Sequence, residues 1–180
     1  KTVISAEIML IAVLNRARYL AISGIGIPSS DELNYFLSLK GDEKDFLHQP
    51  EFLSNYVQLD DMDILWMIKR SVNHPDRIFA ALCKNVLERK LLKVSLSTEA
   101  SMAFFLENKR IFQEAHQLTD DEIKYFFAEK KEVIYPYDTK SGEINMLLKS
   151  GKVLPYSALN THLNTQAEER TFLFHAKNID

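Results

Sequence analysis

The sequence holds one cysteine, Cys83, so it can form neither an internal disulfide nor a cysteine-based zinc site, and it fits a reducing, cytoplasmic setting. Five glycines and five prolines among 180 residues exclude a collagen-like or loop-dominated chain and favour long regular elements. An excess of one charge is also missing. The 22 basic and 25 acidic side chains give a net charge of -3, which argues against a protein-wide polyanion surface and against nucleic acid as a partner. The longest apolar run, Ile8 to Leu14, is far short of the roughly 20 residues a helix needs to cross a bilayer. No membrane span is expected. Lys1 ahead of that run imitates a signal peptide, but Asn15, Arg16 and Arg18 follow it without a small-residue cleavage site.

What is present reads as an α+β chain. Lys1 to Leu20 is apolar on most sides, which predicts a helix buried among others. Ser23, Gly24, Gly26 and Pro28 break it. Ser29 and Glu32 have capping-box spacing ahead of Leu33, Tyr35, Phe36 and Leu37. Lys40 to Lys44 reads as a polar turn and Glu51 to Tyr56 as a short helix. Asp60 or Asp61 is expected to cap a helix with the stripe Ile64, Leu65, Met67 and Ile68. Asn73, His74 and Pro75 end it, and Pro75 suits the first turn of the next helix, which runs to about Lys90. Residues 1–90 are thus expected to form a helical bundle.

From residue 91 the pattern changes. Leu92 to Leu96 alternates like a strand, and Ser97 or Thr98 opens a helix through His116. Thr119 and Glu122 repeat the capping-box spacing, predicting a short helix to Phe127. Glu132 to Tyr137 reads as a strand. Glu143 to Leu148 and Lys152 to Pro155 flank a Ser150-Gly151 turn. A weak helix over Ser157 to Leu163 and a strand over Thr171 to Ala176 close the chain. This order, β-α-β-β-α-β, is that of a ferredoxin-like antiparallel unit over residues 91–180.

Little in the chain can break bonds. It has no Gly-x-Ser-x-Gly, no Gly-rich phosphate loop and no His-Glu-x-x-His. Cys83 falls where the helix pattern puts core residues, which predicts an inert thiol. A cap and first-turn acids account for Asp60, Asp61 and Asp63 without a metal. His74-Pro75-Asp76 reads as a helix start. Tyr125, Phe126, Phe127, Tyr135 and Tyr137 could stack a base, although packing a helix on a sheet is the plainer use. The most informative patch is basic: Lys84, Arg89, Lys90 and Lys93. A helix C-terminus attracts such cations through its dipole. Arg89 and Lys93, however, lie four apart with Leu91 and Leu92 between them. If the leucines anchor the segment, an Arg fork and a Lys point charge face one anion, a pairing suited to a triphosphate.

Lys1-Thr2-Val3, with Ala6-Glu7 and Met9-Leu10, resembles the helix that follows the catalytic part of HD-domain phosphohydrolases. The relevant members are similar to the dNTP triphosphohydrolases with a sterile-alpha-motif partner domain. In them a Tyr-x-His-Lys segment enters this helix, and the chain would begin at its Lys. Leu59 to Ile64, His74-Pro75-Asp76 and Asn85 to Val94 resemble the family's acidic cap, helix and Arg-x-Leu-Phe-Lys entry to a strand, with Leu92 in place of the aromatic. Gly142 to Leu147, Gly151-Lys152-Val153 and Phe172-Leu173-Phe174 look like its C-terminal sheet. The resemblance implies that the chain is part of a longer, metal-dependent phosphohydrolase. Its divalent metal, held by a His, a His-Asp pair and a distant Asp, would lie upstream; this chain has no His-Asp dipeptide. The resemblance further implies that Lys1, Arg89 and Lys93 contact phosphates of an activating nucleotide, a dNTP or GTP, between subunits of a homo-oligomer. Two other readings compete. One is a stand-alone ferredoxin-like sensor of small molecules. The other is a J-domain-like interaction module built on His74-Pro75-Asp76.

Overall fold

Most helices begin where a short polar side chain can take up a free backbone N–H. The computed structural model describes residues 2–39, 50–134, 142, 144–159 and 168–177. Helix α1 spans Thr2–Ile22 and α2 spans Asp31–Ser38. Ser30, rather than Ser29, caps α2 by accepting the Leu33 N–H. Helix α3 is Pro50–Tyr56 and α4 is Asp61–Arg70. The Asp60 carboxylate accepts the Met62 N–H at 2.7 Å, while the Asp63 carboxylate accepts the Asp60 N–H at 2.9 Å. The acidic cluster is therefore used in capping. Helix α5 covers Arg77–Leu87, and its cap is Asp76, which accepts the Phe79 N–H at 2.8 Å. Pro75 thus precedes the cap instead of entering the first turn. The expected turn over Lys40 to Lys44 lies outside the described residues.

Helix α1 corrects one expectation. Its buried residues, Ser5, Met9, Ala12, Val13, Arg16, Ala17 and Leu20, recur at helical spacing and form one face. That face meets α5 and α2. Val3, Ile11 and Tyr19 stay largely exposed on the outer side, because no described element covers it. Arg18 ties α1 to α2 by donating to the Phe36 and Leu39 carbonyls at 3.0 and 2.7 Å, where the dipole of α2 favours a cation.

The second half begins with β1, Lys93–Leu96, and α6, Glu99–His116, which Thr98 caps. The Thr119–Glu122 box forms, with reciprocal bonds of 3.0 and 3.3 Å. It opens only a 3₁₀ turn, Ile123–Tyr125, and β2 already begins at Phe127 and runs to Ile134. Burial decides this: Phe127 packs on Phe105 and Phe112 of α6 and pairs with His175 in the sheet. Residues 135–137 of the expected strand lie outside the described residues. Strands β3, Asn145–Leu147, and β4, Val153–Pro155, form the expected hairpin, followed by α7, Tyr156–Leu159, and β5, Glu168–His175.

Strand β5 lies between β1 and β2 and is antiparallel to both, with Val94 opposite Phe174 and Phe127 opposite His175. Strands β1 and β2 therefore run parallel across β5, joined through α6, as in a split β-α-β unit. The expected ferredoxin-like sheet needs four strands. Among the described residues it has three, and β3 and β4 pair only with each other. Their short strands leave Met146, Leu147 and Val153 exposed, so they add nothing to the buried face. One continuous cluster of buried side chains runs through both halves, from Met9, Val13 and Phe79 to Phe126, Leu173 and Phe174. No helix among the described residues is long and apolar enough to cross a membrane.

Candidate functional site

Helix α5 ends in a Schellman motif. The Lys90 N–H donates to the Asn85 carbonyl at 2.9 Å, and the Arg89 N–H to the Val86 carbonyl at 3.2 Å. The motif needs a left-handed residue, usually glycine, and here Arg89 occupies it at φ 54°. A side chain with a Cβ is strained there by about 1–2 kcal/mol. Beyond it Leu91 is half-buried and Leu92 buried, and the Leu92 carbonyl accepts the Ser5 hydroxyl of α1 at 2.9 Å. The two leucines therefore anchor the segment.

Beside this turn lies a cavity of about 490 Å³ lined by Asn85, Arg89, Lys90, Leu91, Leu92, Ala176 and Lys177. Asn85, Leu92 and Ala176 are buried, whereas Arg89, Lys90 and Lys177 are exposed. Lys90 is held by Glu88 at 3.0 Å. Lys93 opens β1 opposite His175 and is exposed, but it is not among the residues lining the cavity. Lys84 lines a different groove along α5, with Arg77 and Glu88. Lys1 lies outside the described residues. The basic patch is thus divided, and Arg89 shares its cavity with a cation from the far end of the chain. Lys177 lies two residues past the end of β5 and carries no local motif; only the buried run Phe172 to Ala176 marks that the chain there leaves the core.

His74-Pro75-Asp76 has a structural role. The Arg16 guanidinium makes a bidentate bond to Asp76, Nε to Oδ1 at 3.1 Å and Nη2 to Oδ2 at 2.6 Å. Glu122 lies 3.8 Å from the same guanidinium, and the rings of Tyr19 and Tyr125 lie within 5.0 and 5.4 Å of it. Burial opposes the charge on Asp76, but the Arg16 hydrogen bond, the Phe79 N–H and the charge of Arg16 outweigh it and hold its carboxyl below the ordinary value. His74 Nδ1 accepts the Asp76 N–H at 3.0 Å, which leaves Nε2 to donate to the Gly26 carbonyl at 3.2 Å. The tripeptide therefore fastens α5 to α1 and to the loop after α1, and is not an open recognition loop. A cleft of about 680 Å³ beside Arg16 also contains Lys124, but Asp121 and Glu122 offset both cations.

Cys83 is fully buried, and burial pushes its thiol up to about 12. No three His, Cys, Asp or Glu side chains among the described residues gather as metal ligands. Of the aromatic cluster, Phe126 and Phe127 are core, Tyr125 faces Arg16, and Tyr135 and Tyr137 lie outside the described residues. The arrangement can hold an anion at the end of α5.

A solved structure shares this fold. The crystal structure of a phosphohydrolase from Bacteroides thetaiotaomicron matches with a TM-score of 0.82 at 27% sequence identity, over 98% of this chain and 45% of its own. This chain therefore spans less than half the length of that phosphohydrolase. No family model matches the sequence, and no curated protein does.

Proposed function

We propose that this chain is the regulatory and oligomerisation part of an HD-type, metal-dependent nucleoside triphosphate phosphohydrolase, and that it binds nucleotide phosphates without hydrolysing them. The observation that carries the reading is the cavity at the end of α5, where Arg89, Lys90 and Lys177 meet beside a left-handed Arg89. A strained backbone at a cationic cavity is a reason to look for a ligand there. The match to 45% of a phosphohydrolase supports the wider assignment. In this reading residues 1–90 complete a helical HD-type domain and residues 91–180 carry the sheet. The divalent metal of such an enzyme has no holder among the described residues. Lys1 and Lys93 join the phosphate contacts when subunits of a homo-oligomer come together around a dNTP or GTP, in the cytoplasm.

Thermal denaturation of the full-length protein with dATP, GTP and tripolyphosphate tests this. A ligand at a hundred times its Kd stabilises by about 2.7 kcal/mol, enough to raise the melting temperature measurably. Arg89→Ala and Lys177→Ala should abolish the rise. If no nucleotide shifts the melting temperature of the full-length protein, the reading is refuted.

A further inference from the structure

The cavity at the end of α5 is polarised. Its cations, Arg89, Lys90 and Lys177, are exposed, while Asn85, Leu92 and Ala176 are only 7%, 8% and 8% exposed. The rim is cationic and the inner wall neutral. The Asn85 side-chain amide in that wall makes no hydrogen bond among the described residues and is open to the cavity, since the one buried, unpartnered side-chain polar atom among them is Ser71 Oγ. An amide offers two N–H donors and a carbonyl acceptor, and Asn85 has both free to meet whatever enters the cavity. Lys90 does not occupy it: its backbone N–H takes the Asn85 main-chain carbonyl and its ammonium faces Glu88. The phosphates of a ligand belong with the three cations. What reaches Asn85 must be neutral, partly apolar to suit Leu92 and Ala176, and able to hydrogen bond.

We propose that a nucleotide enters this cavity nucleoside end first, with Asn85 hydrogen bonding the base or sugar and the phosphates resting on Arg89 and Lys177 at the rim. This rests on the phosphate-binding reading above and adds to it a direction and a residue that reads the nucleoside. The volume, about 490 Å³, lies within the usual range for sites that hold small ligands.

Titration calorimetry on the full-length protein separates the two claims. It compares GTP and dATP with inorganic tripolyphosphate in the wild type, Asn85→Leu, Asn85→Ala and Arg89→Ala. At least one nucleoside triphosphate should bind the wild type about tenfold more tightly than tripolyphosphate, the scale of one well-placed hydrogen bond. Both Asn85 variants should lose that advantage and leave tripolyphosphate affinity unchanged, whereas Arg89→Ala should weaken every ligand. Equal wild-type affinity for nucleotides and tripolyphosphate, with Arg89→Ala still weakening both, overturns the Asn85 proposal alone. So does an Asn85 variant that leaves nucleotide affinity intact or weakens all ligands alike. Absence of any wild-type binding overturns the phosphate reading and this proposal together. The wild-type comparison needs no variant, so it decides the matter even if the Asn85 variants fold poorly.

Discussion

Replacing Arg89 by glycine separates the two roles of that position. Its φ of 54° is one that a Cβ resists. Relief of that strain is worth about 1–2 kcal/mol, and the greater freedom of an unfolded glycine takes back about 0.4–1 kcal/mol. The net gain is about 1 kcal/mol, or roughly 2–4 °C in melting temperature for a chain of this length. Arg89→Ala keeps the Cβ and the strain, so it should melt close to the wild type. Both variants lose the guanidinium and should lose the nucleotide-induced rise. Gln117, the C-cap of α6, has φ 49° and lies away from the cavity. Gln117→Gly should therefore gain similar stability and keep the nucleotide response. Differential scanning calorimetry of the three variants, with and without GTP, reads all of this. An Arg89→Gly protein that melts no higher than Arg89→Ala would refute the strain argument.

Asp76→Asn keeps a side chain able to cap α5 but leaves the buried Arg16 with only the more distant Glu122 as counter-charge, which should cost up to about 3 kcal/mol in urea unfolding at neutral pH. The same carboxylate makes stability depend on acid. Its folded pKa is depressed, so its contribution is complete above the ordinary carboxylate range and is lost as pH falls through that range toward the folded value. Wild-type stability should fall as pH drops through and below the ordinary carboxylate range, and Asp76→Asn should fall less steeply; parallel curves would contradict this. Cys83, buried and protonated, should resist a thiol reagent in the native protein and react fully in denaturant, whereas rapid native reaction would show that the core around α5 opens easily.

Helix starts were the most legible feature, because a cap is satisfied within three residues of itself. Of two candidates each, Asp60 and Thr98 cap their helices, and the Thr119–Glu122 box forms where its spacing predicts, while at α2 the cap moves one residue, from Ser29 to Ser30. The hairpin around Gly151 is equally local, since φ 80° there needs glycine. Elsewhere burial outweighs local signals. The Thr119 box predicts a helix to Phe127, but Phe127 is worth more packed against α6 and paired with His175, so a strand takes over. Helix α1 looks apolar all round, yet only one face finds partners among the described residues.

At the candidate site, the sequence by itself determined the helix-to-strand junction: Arg89 and its cationic neighbours at the end of α5, anchored by Leu91 and Leu92. Tertiary structure alone decided what shares the cavity. Lys177 arrives because β5 runs between β1 and β2, and Asn85 faces inward because α5 packs on α1. Arg16 and Asp76 meet for the same reason, although 60 residues separate them. Spacing within a few residues specifies hydrogen bonds along one element. Which distant side chains meet depends on how apolar faces from several elements are buried together, and no short stretch of sequence encodes that.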